Sequence, residues 1–188
     1  SAKNNTENVY IGYRTAGLVE GNENTFVGAK INYNIAGDEH TESTITGGVV
    51  VGYNASCGIN ATTVGYTASG TGYGSVSIGW AAVCDGSVGV RIGMGGTCGG
   101  SGVSIGVNTN VVGNGIAIGG SSKTENENEC IAIGSNARAG YEVGSVWPQY
   151  TVGNPDGGGS VAIGNQANAK ETYSISIGWQ STTYGYSS

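Results

Sequence analysis

The chain has 188 residues, of which 37 are glycine, whereas it contains one phenylalanine, one methionine and two prolines. Such a composition does not describe a globular domain with a core of bulky side chains. A charged fraction of 11% argues against charge-rich disorder, and a net charge of −6 disfavours binding to nucleic acid or to anionic membranes, since both require clustered Lys and Arg. No segment approaches the roughly 20 apolar residues that cross a bilayer, so we expect no membrane insertion by this segment. Because Ser1 to Tyr10 lacks an apolar signal core, the chain is expected to be part of something longer.

One short phrase recurs along the chain: Val or Ile, a usually small residue, Val or Ile, and then glycine. The glycines that close its clear copies are Gly12, Gly28, Gly52, Gly65, Gly79, Gly93, Gly106, Gly119, Gly134, Gly164 and Gly178. Their successive spacings are 16, 24, 13, 14, 14, 13, 13, 15, 30 and 14 residues. Alternating apolar positions predict a short β-strand in each copy, and the glycine indicates a turn that needs positive φ or close backbone approach. A strand and its return in about 14 residues predict one coil of a β-solenoid.

A second pattern lies three and five residues after each closing glycine, where small residues predominate, as in Ala167 and Ala169. Small side chains are expected where a narrow coil closes on itself, because its interior has no room for Leu or Phe. Cys57, Cys84 and Cys98 share the later of these two positions, which favours buried thiols over a redox or metal role. A disulfide between Cys84 and Cys98, on successive coils, is conceivable.

Stacked coils at about 4.8 Å each predict a rod with a thin interior. Such an interior cannot hide both the Val and Ile columns and the columns of small residues. One face is therefore expected to pack against partner chains, so the pattern predicts an oligomer.

Two of the repeats carry a family resemblance. Ser-Val-Ala-Ile-Gly-Asn-Gln-Ala-Asn-Ala (Ser160 to Ala169) and Cys-Ile-Ala-Ile-Gly-Ser-Asn-Ala-Arg-Ala (Cys130 to Ala139) resemble the head repeats of YadA-like trimeric autotransporter adhesins, over a region from Gly48 to Gly178. The opening repeats, within residues 8–28, look more like those of trimeric phage tail fibres and bacterial surface-fibre proteins. The resemblance implies an all-β fold, a left-handed parallel β-roll that forms a homotrimer. It also implies an extracellular location, on a bacterial cell surface or a virion fibre, and adhesion as the function.

The predicted organisation is a single solenoid domain over residues 1–188 with three interruptions: an inserted loop at 29–47, a short bulge at 120–130 and an inserted loop at 140–159. Insertions carry the variable chemistry of repeat proteins, so we expect specificity to reside there. The 140–159 loop provides the candidate ligand-binding residues, which are Tyr141, Trp147, Tyr150 and Asp156. Exposed Trp and Tyr suit stacking on sugar rings or anchoring in a protein pocket. The alternative, that Trp147 caps the hydrophobic column or packs on a neighbouring chain, stays open.

The 29–47 loop contains Asp38, His40 and Glu42, which are weak metal-ligand candidates because a solvated polar loop is the favoured explanation of these residues. The alternation of Glu and Asn from Lys123 to Glu129 is interpreted as a solvated bulge, with a hard-cation site as the minor alternative. We therefore expect no metal and no cofactor.

Two further features recur or stand alone in the coil. The aromatic residues that directly follow closing glycines predict a structural ladder; they are Tyr13, Tyr53, Tyr66, Trp80 and Trp179. Arg91 stands where other coils carry small residues, and it is expected either to bind across an interface or to point to solvent.

Catalysis is disfavoured, because the only histidine lies in a predicted loop without a nucleophile motif. The sequence thus predicts a non-enzymatic fibre head that attaches to a glycan or protein receptor on a cell surface. A structural spacer that carries a separate tip domain is the alternative, and a phage tail-fibre depolymerase is the third.

Overall fold

The structure is a computed structural model that describes residues 7–15, 19–31, 43–125, 129–140, 159–170 and 173–184. These ranges contain 22 strands. In chain order the strands are β1 Val9–Tyr13, β2 Val19–Glu20, β3 Thr25–Ala29, β4 Ser43–Thr44, β5 Val49–Tyr53, β6 Ser56–Cys57, β7 Thr62–Tyr66, β8 Ser69–Gly70, β9 Val76–Ile78, β10 Val83–Cys84, β11 Val90–Ile92, β12 Thr97–Cys98, β13 Val103–Ile105, β14 Asn110–Val111, β15 Ile116–Ile118, β16 Lys123–Thr124, β17 Ile131–Ile133, β18 Arg138–Ala139, β19 Val161–Ile163, β20 Asn168–Ala169, β21 Ile175–Ile177 and β22 Thr182–Thr183. Within these ranges, no helix is long and apolar enough to span a membrane.

The strands form a parallel β-solenoid. The odd-numbered strands make an 11-stranded long sheet in the order β1-β3-β5-β7-β9-β11-β13-β15-β17-β19-β21, so each coil adds one strand beside the strand of the previous coil. Nine of the even-numbered strands, β6 to β22, make a second parallel sheet, the short-strand sheet, and β2 pairs with β4. The all-β solenoid with coils of about 14 residues, predicted from the repeat, is confirmed.

The closing glycines are aligned from coil to coil, as in the pairs Gly12 with Gly28 and Gly52 with Gly65. Gly65 illustrates why no other residue fits: its φ is +145°, and an added Cβ would lie 2.1 Å from the carbonyl oxygen of Gly79. The predicted reasons for glycine, positive φ and close backbone approach, therefore apply together.

A second constraint lies two residues after the closing glycine, at the corner between the two sheets. Every such residue in the eleven coils is left-handed, with φ between 51° and 59°: Arg14, Lys30, Asn54, Thr67, Ala81, Gly95, Asn108, Ser121, Asn136, Gln166 and Gln180. Only three of them are Asn and one is Gly, the residues that adopt this conformation most readily. The stack of coils, rather than the residue type, therefore imposes this corner.

Small side chains fill the interior of most coils. The residue between the two Val or Ile positions of each long-sheet strand points inward, as Ser104, Ala132 and Ala162 do with no exposed surface. The opposite wall is equally small where it carries Ala139 and Ala169. This packing confirms the prediction of a narrow interior lined by small residues.

The first coils depart from that rule. Phe26 is fully buried there and packs with Ile31, Ile45 and Val50, while its ring lies 5.2 Å from that of Tyr10. The expectation that no coil could hold a Phe is therefore wrong for these coils. Their closing glycines are 16 and 24 residues apart, so the chain has extra length with which to enclose bulkier side chains.

Parts of two predicted interruptions are regular structure. Ser43–Thr44 of the predicted 29–47 loop form β4, and Lys123–Thr124 of the predicted 120–130 bulge form β16 between β14 and β18. Residues 32–42, 126–128 and 141–158, which include the middle of each interruption, lie outside the described residues.

Candidate functional site

The outward face of the long sheet is an extended apolar surface in the described part of the chain. Because the middle residue of each strand points inward, the residues on either side of it, which are Val or Ile except for Thr25 and Thr62, point outward. They form two columns, of which one contains Val9, Thr25, Val49, Thr62, Val76, Val90, Val103, Ile116, Ile131, Val161 and Ile175, and the other Ile11, Val27, Val51, Val64, Ile78, Ile92, Ile105, Ile118, Ile133, Ile163 and Ile177. We call these two columns the outer apolar face.

The outer apolar face is only partly covered in a single chain. Ile92 in the middle of the stack is 38% exposed, and Ile163 and Ile177 towards its end are 36% and 67% exposed. Contiguous apolar patches that remain exposed on a soluble protein mark interaction sites. The face is therefore a candidate binding surface. The sequence had predicted it, because a thin interior cannot bury the Val and Ile columns together with the columns of small residues.

A third column extends the apolar surface in the first half of the solenoid. It contains the aromatic residues that follow closing glycines, and Tyr53 and Tyr66 stack with ring centroids 5.3 Å apart and an interplanar angle of 8°. Trp80 is next in the column and is 57% exposed. The predicted ladder is thus real over neighbouring coils but not continuous. Ala29 separates Tyr13 from Tyr53, and non-aromatic residues such as Gly120 separate Trp80 from Trp179.

Cations lie against the aromatic rings at the N-terminal end of this column. The Lys30 ammonium lies 5.3 Å from the Tyr53 ring centroid, and the Arg14 guanidinium lies 5.1 Å from that of Tyr13. A side-chain hydrogen bond with Tyr53 is the main cause that raises the pKa of Lys30. One end of the aromatic column is therefore positively charged at neutral pH.

Arg91 corrects the expectation made from the sequence. It neither crosses an interface nor points to solvent; it lies inside the coil with no exposed surface. Its guanidinium donates hydrogen bonds to the carbonyl oxygens of Ile92, Ser104, Met94, Gly106 and Gly95, at 2.9, 3.3, 3.2 and 2.9 Å for the first four. Burial is the main cause that lowers the pKa of Arg91.

The sequence contained a signal for this buried arginine. Gly95 and Gly96 occupy positions where other coils carry side chains, and a Cβ at Gly96 would lie 3.1 Å from Arg91 Nη2. Gly96 therefore leaves space beside the guanidinium, and Gly95 contributes a carbonyl oxygen that accepts one of its hydrogen bonds. Arg91 and Gly96 could each be noticed separately in the sequence. Only the two together indicate that the Arg91 side chain points inward.

All four cysteines are buried and none forms a disulfide, as the sequence had favoured for Cys57, Cys84 and Cys98. Cys84 and Cys98 are register partners on β10 and β12, whereas the register partner of Cys57 is Gly70. Cys130 lies before the long-sheet strand β17 rather than in the short-strand sheet, and Ser160 donates a hydrogen bond to its sulfur at 3.4 Å.

The residues predicted to bind a ligand lie outside the described residues. These are Tyr141, Trp147, Tyr150 and Asp156 in one segment, and the weak metal candidates Asp38, His40 and Glu42 in another. Among the residues that the structure does describe, no group of three or more His, Cys, Asp or Glu side chains is placed to hold a metal ion.

Comparison with known families locates one match. The model of the YadA head domain repeat matches residues 156–181 in two copies, and this segment includes β19 and β20. The resemblance stated from Ser160 to Ala169 is confirmed over that segment. No curated protein and no solved structure matches the chain.

Proposed function

We propose that the chain is the head of a trimeric surface fibre that attaches its carrier to another cell. The observation that carries the proposal is the outer apolar face, which continues through all eleven strands of the long sheet and stays partly exposed in a single chain. Three copies around one axis, with left-handed coils, would bury these columns against one another and form the hydrophobic core that a single thin coil lacks. The match of residues 156–181 to the YadA head domain repeat supports the same assembly.

The location and the receptor follow from the same resemblance. A head of this kind acts outside the cell, on a bacterial surface or as a virion fibre, and its receptor is a surface glycan or protein. In this proposal the 140–159 segment, with Tyr141, Trp147, Tyr150 and Asp156, contacts the receptor. The stack of coils holds this segment away from the carrier.

A structural spacer is the second candidate, and the unbroken register of the long sheet favours it. From β5 to β17, each strand of the long sheet is followed by the next strand of that sheet after a nearly constant number of residues. This regularity suits a rod that separates two other parts of a fibre. A spacer would trimerise in the same way but would bind no receptor.

Mass and binding measurements test the proposal in sequence. Light scattering on the purified chain should give the mass of three chains, and the trimer should then bind particular cells or glycans in an array screen. A single-chain mass would refute the trimeric head, and a trimer that binds neither cells nor glycans would favour the spacer. Release of reducing sugar from a bound glycan would instead indicate the depolymerase.

A further inference from the structure

Cys84 and Cys98 lie side by side on the interior wall of the short-strand sheet. They are register partners on the parallel strands β10 and β12, and neither has exposed surface. Neighbouring strands lie about 4.8 Å apart, within the ~4.4–6.8 Å separation of Cα atoms that a disulfide spans. We propose that Cys84 and Cys98 are an oxidisable pair that closes into a disulfide between successive coils, a modification independent of the proposed adhesive function.

The interior around the two sulfur atoms leaves room for them to approach each other. A Cβ at Gly89 would lie 2.9 Å from Cys84 Sγ and 3.3 Å from Cys98 Sγ, so both sulfur atoms border the position that an alanine would fill. The equivalent position is Ser75 in the previous coil and Gly102 in the next coil. The two thiols are also close enough that each shifts the pKa of the other.

The surroundings make the two thiols chemically unequal. The hydrogen bond from Cys84 is the main cause that lowers the pKa of Cys98, and the nearby Arg91 guanidinium lowers it further. The same hydrogen bond, together with burial, raises the pKa of Cys84. The Gly102 carbonyl oxygen, 3.1 Å from Cys98 Sγ, favours the protonated form of Cys98. Because three groups favour its thiolate, the Cys84 thiol, the Val90 backbone N–H and the buried Arg91 guanidinium, Cys98 ionises before Cys84.

Disulfide exchange with a small-molecule disulfide, such as oxidised glutathione, completes the reaction. The Cys98 thiolate attacks one sulfur of the oxidant, which forms a mixed disulfide and releases one thiolate. Cys84 then loses its proton to solvent and attacks Cys98 Sγ, which forms the Cys84–Cys98 bond and releases the second thiolate. The protein loses two electrons and two protons, and the oxidant gains the two electrons. Since both thiols are buried, the exchange takes place while the coils close or open.

The other two cysteines are matched controls, because they are equally buried but have no cysteine as register partner. Cys57 lies in the same column of the coil and faces Gly70 on the next strand. Cys130 precedes β17, in the other sheet. Burial alone therefore does not predict which cysteines cross-link, whereas register does.

The test counts thiols after oxidation. The full chain is refolded from denaturant with either dithiothreitol or oxidised glutathione, denatured again and alkylated, and its intact mass is measured. All four thiols should be alkylated after reduction and two after oxidation. Peptide mapping should identify a single cross-link between Cys84 and Cys98. The melting temperature of the oxidised chain should rise by several degrees, because the cross-link restricts the unfolded chain.

Variants separate this cross-link from general oxidation. Cys57→Ser should keep the oxidative rise in melting temperature, whereas Cys84→Ser should lose it, with circular dichroism to verify that both variants fold. The proposal is overturned if the wild-type chain keeps four alkylatable thiols after oxidative refolding. It is also overturned if the cross-link contains Cys57 or Cys130.

Discussion

Thr63 and Gly70 face each other across the interior of one coil, and a Cβ at Gly70 would lie 2.5 Å from Thr63 Oγ1. The two residues come from opposite walls, Thr63 from β7 and Gly70 from β8. Elsewhere the wall opposite an Ala or Ser carries Cys, Val, Thr or Ala, so Gly70 compensates for the larger Thr63. In this coil the two walls are therefore complementary in size.

Gly70→Ala should destabilise the fold by about 1–3 kcal/mol, because the added methyl overfills the coil. Thr63 Oγ1 is buried without a hydrogen-bond partner among the described residues, so removing it leaves no other group without a hydrogen bond. The double variant Thr63→Ala/Gly70→Ala should therefore recover most of the loss. Denaturant unfolding of both single variants and the double variant gives the coupling, and strictly additive effects would contradict size complementarity.

Val88→Asn should stabilise the chain by about 1 kcal/mol. Val88 has φ of 53° and is 59% exposed, and the left-handed conformation costs a residue with a Cβ about 1–2 kcal/mol, whereas Asn tolerates it better. The matched control is Val112→Asn, at an exposed valine that is not left-handed. An equal gain in both variants, measured by chemical denaturation, would show that polarity rather than backbone conformation is responsible.

Arg91→Ala should cost about 3 kcal/mol, because it leaves a cavity and removes five hydrogen bonds from buried or part-buried carbonyl groups. Arg138→Ala is the control at the surface, where Arg138 Nη1 lies 3.6 Å from Glu125 Oε1 and the Arg side chain is 40% exposed. That exposed ion pair contributes at most about 1 kcal/mol. Similar losses in thermal unfolding would contradict the buried role of Arg91.

Ile163→Asp should prevent assembly of the trimer. It places a carboxylate on the outer apolar face, which loses its water when chains associate, at a cost of several kcal/mol. Asn168→Asp introduces the same charge in the same coil, on the short-strand sheet beside Arg138, and should leave the mass unchanged. Light scattering distinguishes the two, and a trimer of the Ile163 variant would locate the interface on another face.

Trp147→Ala should abolish binding to cells while the trimer stays intact, because an aromatic anchor carries a large share of binding energy. Trp179→Ala is its control, since Trp179 is 74% exposed but belongs to a coil rather than to the 140–159 segment. Binding is measured by flow cytometry on cells selected in the screen. Equal binding by both variants would place the receptor site elsewhere.

Much of the fold was predictable because a repeat tests the same constraint many times. The closing glycines located the strands of the long sheet, and small residues such as Ala167 and Ala169 identified the second wall. Single departures from the repeat were harder to predict. Arg91 fits inside because Gly96 leaves space beside its guanidinium, and Phe26 fits because its coils are longer. In each case a large side chain is accommodated by a change at a different position in the coil. Comparing the residues at one repeat position at a time therefore does not reveal the relationship.

The binding residues were predicted by a different kind of argument. Trp147 and its neighbours were selected because they interrupt the repeat, and no periodic constraint fixes how an interruption folds. The outer apolar face, by contrast, followed from the interior volume. A coil too narrow for Ile beside Ala must place Ile118 outward and Ala117 inward.

The left-handed corner after each closing glycine has a consequence for how this chain can vary. Residues as different as Arg14, Thr67 and Gln180 adopt one backbone conformation there, so the stack accepts almost any side chain at that point. The corner is thus a row of interchangeable positions about 4.8 Å apart along the rod. Substitutions can therefore introduce new charges or hydrogen-bonding groups at these positions one coil at a time. The loss of stability is limited to local backbone strain, and the two sheets stay unaltered.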